Sequence, residues 1–168
     1  GTLNVRSGGT LAGAGAVGGA VTVASRGTLA GVQGQTLSLG ALYLDTGAMI
    51  TVALGAPGDV ALFDVAGNLT LDGTLDIADA GGFGAGVYRL IDYGGTLDDQ
   101  GLVIGATPGG VASSDLIVQT AVAKQVNLVS LSGVDLLFWD GGDAALHNNN
   151  AVDGGAGVWD ASGVNWNR

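Results

Sequence analysis

A short phrase repeated along the chain constrains its fold more than any other feature. Ser7-Gly8-Gly9-Thr10-Leu11-Ala12-Gly13 returns eighteen residues later as Ser25-Arg26-Gly27-Thr28-Leu29-Ala30-Gly31, and Gly-Thr-Leu recurs at Gly73-Thr74-Leu75 and Gly95-Thr96-Leu97. Self-similarity at such an interval marks units that cannot bury an apolar face alone and must stack on one another. Short β-type runs fill the intervals: Thr2-Leu3-Asn4-Val5, Val21-Thr22-Val23, Leu37-Ser38-Leu39, Leu42-Tyr43-Leu44, residues 49–54, Leu69-Thr70-Leu71 and Leu75-Asp76-Ile77. Most alternate an apolar residue with a small or polar one, the period of a strand with one buried face. Gly, Asp, Ser and Asn separate them as turn formers. The pattern predicts coils of about 18–24 residues with several short strands per turn, a β-helix. A leucine-rich repeat would carry a fixed Asn or Cys inside a longer Leu framework, and none is present.

Composition narrows the function. The 168 residues include 33 Gly and 2 Pro; all fifteen acidic residues are Asp, and five Lys and Arg leave a net charge of −10. A mostly helical domain is excluded by the absence of Glu and near-absence of Lys. Nucleic acid is excluded as a partner, because phosphate contacts need Lys and Arg. A chain that is 47% hydrophobic and 12% charged is not of disordered type. Without Cys there is no disulfide scaffold and no thiolate metal site. No window holds eighteen consecutive apolar residues, so no transmembrane helix is expected. The sequence opens at Gly1 without Met or a basic leader and reads as a piece of something longer.

The pattern changes after residue 84. Residues 86–93 read as a longer strand with two Tyr, followed by Leu102-Val103-Ile104, Leu116-Ile117-Val118 and Val126-Asn127-Leu128-Val129 between longer loops. Longer, less regular strands at the end of a solenoid are expected to cap it, since the last coil would otherwise leave an open edge. From about Asp135 a third zone holds all three Trp residues, Gly141-Gly142, Asn148-Asn149-Asn150 and Gly154-Gly155. The expected divisions are 1–84 for β-helix coils, 85–134 for the cap and 135–168 for the start of a further β repeat.

Three of these features resemble the passenger domains of Gram-negative autotransporters. One is the Gly-Thr-Leu coil repeat of residues 1–80. The second is the run from Gly86 to Leu97 with Val126-Asn127-Leu128-Val129 downstream, similar to the Gly-x-Tyr-x-Leu-Ile strand and closing strand of the passenger C-terminal region often called the autochaperone. The third is Phe138-Trp139-Asp140-Gly141-Gly142, then Trp159-Asp160 and Asn165-Trp166, which resembles the start of the autotransporter-associated β-strand repeat. The resemblance implies a secreted or cell-surface location, reached through a translocator β-barrel outside this chain. A Trp repeat following the autochaperone-like run implies an internal module of a long passenger.

Catalytic chemistry finds little support. Asp98-Asp99, and Asp140 with Asp143, could offer oxygens to Ca²⁺, which takes six to eight of them, but the nine-residue Gly-Gly-x-Gly-x-Asp signature is absent; they read as turn residues. Asp72, Asp76 and Asp79 are the carboxylates a β-helix polysaccharide lyase or glycoside hydrolase would use, the alternative reading. Arg6, Arg26, Arg89 and Lys124 are scattered, with no basic cluster to hold an acidic polysaccharide. His147 is the single His, too few for a triad or zinc site, and reads as a surface loop. Ser113-Ser114-Asp115 reads as a turn. Thr2, Thr10, Thr22, Thr28, Thr36 and Thr46 are too irregular for an ice- or mineral-binding face. Trp139, Trp159 and Trp166 could stack on sugars, although Trp recurring with Gly and Asn at repeat positions reads as packing.

The expected fold is all-β: a right-handed parallel β-helix with a C-terminal β-sandwich-like cap. The expected function is a non-enzymatic segment acting as stalk, folding nucleus and adhesive surface, without cofactor, metal or catalytic residue. Its expected partners are a host-surface protein or glycan and further copies of itself.

Overall fold

The computed structural model describes residues 1–134, 138–145, 154–158 and 166–167. They divide into two compact units, Gly1–Ser132 and Gly133–Arg168.

The first unit contains fourteen strands: β1 (Thr2–Val5), β2 (Thr10–Ala12), β3 (Gly15–Val23), β4 (Thr28–Val32), β5 (Leu37–Leu44), β6 (Met49–Leu54) and β7 (Phe63–Val65). There follow β8 (Leu69–Leu71), β9 (Thr74–Asp79), β10 (Gly86–Tyr93), β11 (Leu97–Asp99), β12 (Val103–Ile104), β13 (Leu116–Gln119) and β14 (Gln125–Ser130). No α-helix occurs among the described residues; a single 3₁₀ turn spans Ser113–Asp115, where the sequence predicts a turn.

The strands form two sheets, and the chain alternates between them. One sheet runs β1-β3-β5-β7-β10-β14-β13, with β8 and β11 branching from β5; the other runs β12-β9-β6-β4-β2. All pairings up to β12 are parallel, whereas β10–β14 and β14–β13 are antiparallel. Parallel neighbours need a crossover, and here the crossover is a strand of the other sheet.

Register carries like residues onto like. In the first sheet Leu3, Val21, Leu42, Leu69 and Leu97 are successive partners. In the second, Leu11, Leu29, Ile50, Leu75 and Ile104 are. These rows meet between the sheets, and Val21, Leu29, Leu42 and Leu75 lose all contact with water. Leu3 is 38% exposed because β1 has a partner on one side only. Burying a Leu or Ile contributes about 1.5–3 kcal/mol, so the two rows supply much of the unit's stability.

Two glycine patterns shape the corners. Gly8 and Gly47 adopt φ of 78° and 82°, and Arg26 takes the equivalent place at 61°. Each stands two residues before a strand of the second sheet, which accounts for the Ser-x-Gly-Thr-Leu phrase. A second column bends the first sheet: a Cβ on Gly40 would lie 2.7 Å from the Gly18 oxygen, and one on Gly67 would lie 2.6 Å from the Gly40 oxygen. Side chains at these positions would hold adjacent layers apart.

Strand boundaries differ from expectation at several points. β3 begins at Gly15, six residues before the predicted run, through Ala- and Gly-rich sequence without apolar alternation. Two predicted runs merge into β5. β2, β4, β7 and β11 lie outside the expected runs; in β7, Phe63 and Val65 flank an exposed Asp64, too short a pattern to separate from loop.

In the second unit β15 (Phe138–Trp139) pairs antiparallel with β16 (Trp166–Asn167). The Gly142 amide donates to the Ala156 oxygen at 2.8 Å, bringing the Trp-Asp-Gly-Gly turn against the second glycine-rich stretch.

Candidate functional site

At the junction between parallel and antiparallel strands, β10 carries an irregularity that reorganises its side chains. Register shifts between Arg89 and Ile91, and Leu90 and Ile91 both point inward. In a regular strand residues three apart face opposite ways. The bulge cancels that alternation, so Arg89 and Asp92 emerge on the same outer face. Arg89 Nη1 donates to Asp92 Oδ1 at 2.9 Å, the single ion pair among the described residues. Arg89 Nε donates to Asn127 Oδ1 at 3.0 Å, and Asn127 Nδ2 donates to Gln119 Oε1 at 3.0 Å. Asn127, although only 4% exposed, is thereby satisfied.

Beside this network lies a shallow depression of about 380 Å³ lined by Asp64, Arg89, Asp92, Tyr93, Lys124 and Gln125, among others. Asp64, Asp92 and Gln125 are partners in register on three successive strands. Lys124 closes one side. Its backbone is left-handed, φ 69°, which side chains other than Gly rarely adopt. Its ammonium donates to the Gly94 oxygen at 2.9 Å and to the Gly95 oxygen, and lies 5.4 Å from the centroid of the Tyr93 ring. Arg89 and Lys124, scattered in the sequence, thus share one site. No sequence signal foretold this, because the meeting depends on the bulge and on β14 folding back.

The residues singled out in the sequence occupy other places. The Asp72, Asp76 and Asp79 carboxylates accept internal hydrogen bonds: Asp72 accepts from Gly73 N at 2.6 Å and Thr46 Oγ1 at 2.7 Å, Asp76, within β9, from Ala106 N at 2.7 Å, and Asp79 from Gly81 N at 2.6 Å. Asp98 accepts from Gln100 Nε2, while Asp99 accepts from Gly101 N and Thr120 Oγ1. Asp143 accepts from Ala145 N at 3.0 Å. Among the described residues no three His, Cys, Asp or Glu side chains converge as a metal site. A second depression, about 330 Å³, lies on the second sheet over Ala30, Val32, Ala53 and Ala78 and is mostly apolar.

Of the three tryptophans, Trp139 and Trp166 are partners in register. Trp139 Nε1 donates to the Gly155 oxygen at 2.9 Å. Its ring rests on Gly157, where a Cβ would come within 2.9 Å of Cζ2. Trp159, His147 and Asn148-Asn149-Asn150 lie outside the described residues.

No known family model and no solved structure matches this chain. Over 175 aligned positions, 97% of the chain, it is 40% identical to a protein named adhesin BmaC autotransporter, from Brucella suis biovar 1 (strain 1330). That similarity supports an autotransporter passenger domain. The chain spans 5% of the length of that relative. Its place is therefore the cell surface, reached by export through the outer membrane.

Proposed function

We propose that this passenger segment is a non-enzymatic, adhesive stretch of a right-handed parallel β-helix, and that it binds a host-surface protein or glycan. The single observation that carries the adhesive reading is its identity, over nearly its whole length, with a protein named an adhesin. The alternation of the chain between two parallel sheets, with apolar rows running from layer to layer, supports the helical reading. In this reading residues 1–84 form coils and serve as stalk. Residues 85–134 form the cap and folding nucleus; antiparallel β13 and β14 give the parallel layers a different kind of edge. Residues 135–168 begin a further repeat, with Trp139, Trp159 and Trp166 as its candidate ligand-stacking residues.

Hydrolysis or elimination on a polysaccharide is not favoured, because the candidate carboxylates are engaged in internal hydrogen bonds. The test is to display the full-length protein on bacteria with and without this segment, measuring surface amount and host-cell attachment separately. Loss of attachment at equal surface amount is expected of an adhesive stretch. Unchanged attachment at equal surface amount would refute it, and a fall in surface amount alone would assign the segment to folding.

A further inference from the structure

We propose that the depression bounded by Asp64, Asp92 and Lys124 is a binding site for a neutral carbohydrate. The inference deepens the adhesive reading and rests on it for its biological meaning, but not for its chemistry.

Two features meet at this place, and the residues they involve supply a third. The bulge in β10 turns both Arg89 and Asp92 outward. Lys124 holds an unfavourable left-handed backbone although it is not Gly. Two of the five cations of a chain with net charge −10 line the same hollow. Strained backbone and bulges persist where surrounding contacts impose them, and both concentrate at functional sites.

The inventory of groups selects the ligand class. Asp64 is exposed and makes no hydrogen bond among the described residues, so both its oxygens are available as acceptors. Asp92 gives one oxygen to Arg89 and keeps the other. Lys124 spends two of its three N–H groups on backbone carbonyls and keeps one, with no carboxylate within ion-pair distance among the described residues. Charged acceptors beside charged donors match hydroxyl groups, each of which donates and accepts at once. Two carboxylates in adjacent register repel an anionic sugar, and the local charges of Asp64, Asp92, Arg89 and Lys124 sum to zero. A hollow of about 380 Å³ falls in the range of small-ligand sites. Its shallowness fits one or two sugar rings of a longer chain, held weakly and repeated for avidity on a surface.

The test titrates the 168-residue chain with neutral glucan and galactan oligosaccharides, and with sialylated and uronate oligosaccharides as controls, following amide resonances. The expected result is saturable shifts confined to residues lining the hollow, with the neutral sugars only. Asp64→Asn, which breaks no internal bond, is expected to weaken binding about tenfold, the scale of one charge-assisted hydrogen bond. Lys124→Gly suits the left-handed backbone and is expected to weaken binding several-fold while the amide spectrum stays folded. No shift with any neutral oligosaccharide, preference for the anionic ones, or neutral binding unaffected by Asp64→Asn would each overturn the assignment. Host-cell attachment by full-length protein carrying Asp64→Asn separates the two readings. Retained attachment with no sugar binding in the hollow sinks only this inference, whereas sugar binding without any contribution of the segment to attachment leaves the site and removes the adhesive role.

Discussion

Leu90→Ala tests whether stability is concentrated in the region from β10 to β14. Leu90 is the bulge residue of β10, 2% exposed, on a strand held between parallel β7 and antiparallel β14. The substitution removes three buried carbons, about 2.4 kcal/mol at about 0.8 kcal/mol each. The backbone on both flanks is fixed by ladder hydrogen bonds, so the hole cannot close fully, and the total should reach about 3–5 kcal/mol. Val23→Ala, at a fully buried place in the earlier layers, removes two carbons and should cost about 2–3 kcal/mol. Urea denaturation followed by circular dichroism measures both. Native-state hydrogen exchange then locates the effect: Leu90→Ala should lower protection throughout residues 1–132, and Val23→Ala mainly in the layers around it. The reasoning fails if residues 1–60 stay protected after residues 86–129 have opened, or if Val23→Ala costs more than Leu90→Ala.

Three further outcomes are expected. Gly40→Ala should destabilise by about 1–3 kcal/mol or prevent folding, since its Cβ would stand 2.7–2.9 Å from three backbone atoms of Gly18 and Gly19; a thermal melt unchanged from the parent would contradict the glycine column. Arg26→Gly should be neutral or stabilising by up to about 1 kcal/mol, because it relieves a left-handed Arg at an exposed corner, as equilibrium unfolding would show. Asn127→Ala should cost about 1–3 kcal/mol by leaving Arg89 Nε and Gln119 without their buried partner, and the loss should shrink when Arg89 is removed as well in a double-mutant cycle.

Much of the architecture was legible because its information is local. Alternation at Leu69-Thr70-Leu71 or Met49 to Leu54 names a strand and its buried face, and the Ser-x-Gly-Thr-Leu phrase names the repeat, though not the strands β2 and β4 that follow it. Where one strand lacks side-chain contrast, as in the Gly- and Ala-rich start of β3, its existence follows from neighbours above and below, which a linear reading does not contain. The mixed-charge hollow was illegible for the same reason. Arg89, Asp92 and Lys124 meet only because one residue of β10 is extra and because β14 returns antiparallel. Nothing in the run Tyr88-Arg89-Leu90-Ile91-Asp92 distinguishes a bulge from a continuous strand with a two-residue apolar core.

The row Leu11, Leu29, Ile50, Leu75 and Ile104 has a consequence for how such a protein measures distance. Successive members are separated by 18, 21, 25 and 29 residues, yet each is the register partner of the next. One strand spacing, about 4.8 Å, is gained at each step whatever the number of residues used to make it. In the proposed stalk, reach is therefore counted in turns of the chain and not in amino acids, while surplus residues are displaced sideways into the loops. Insertions at the corners can remodel what the surface presents without altering how far it projects, and deletions of a whole turn shorten the projection without touching the pattern that remains.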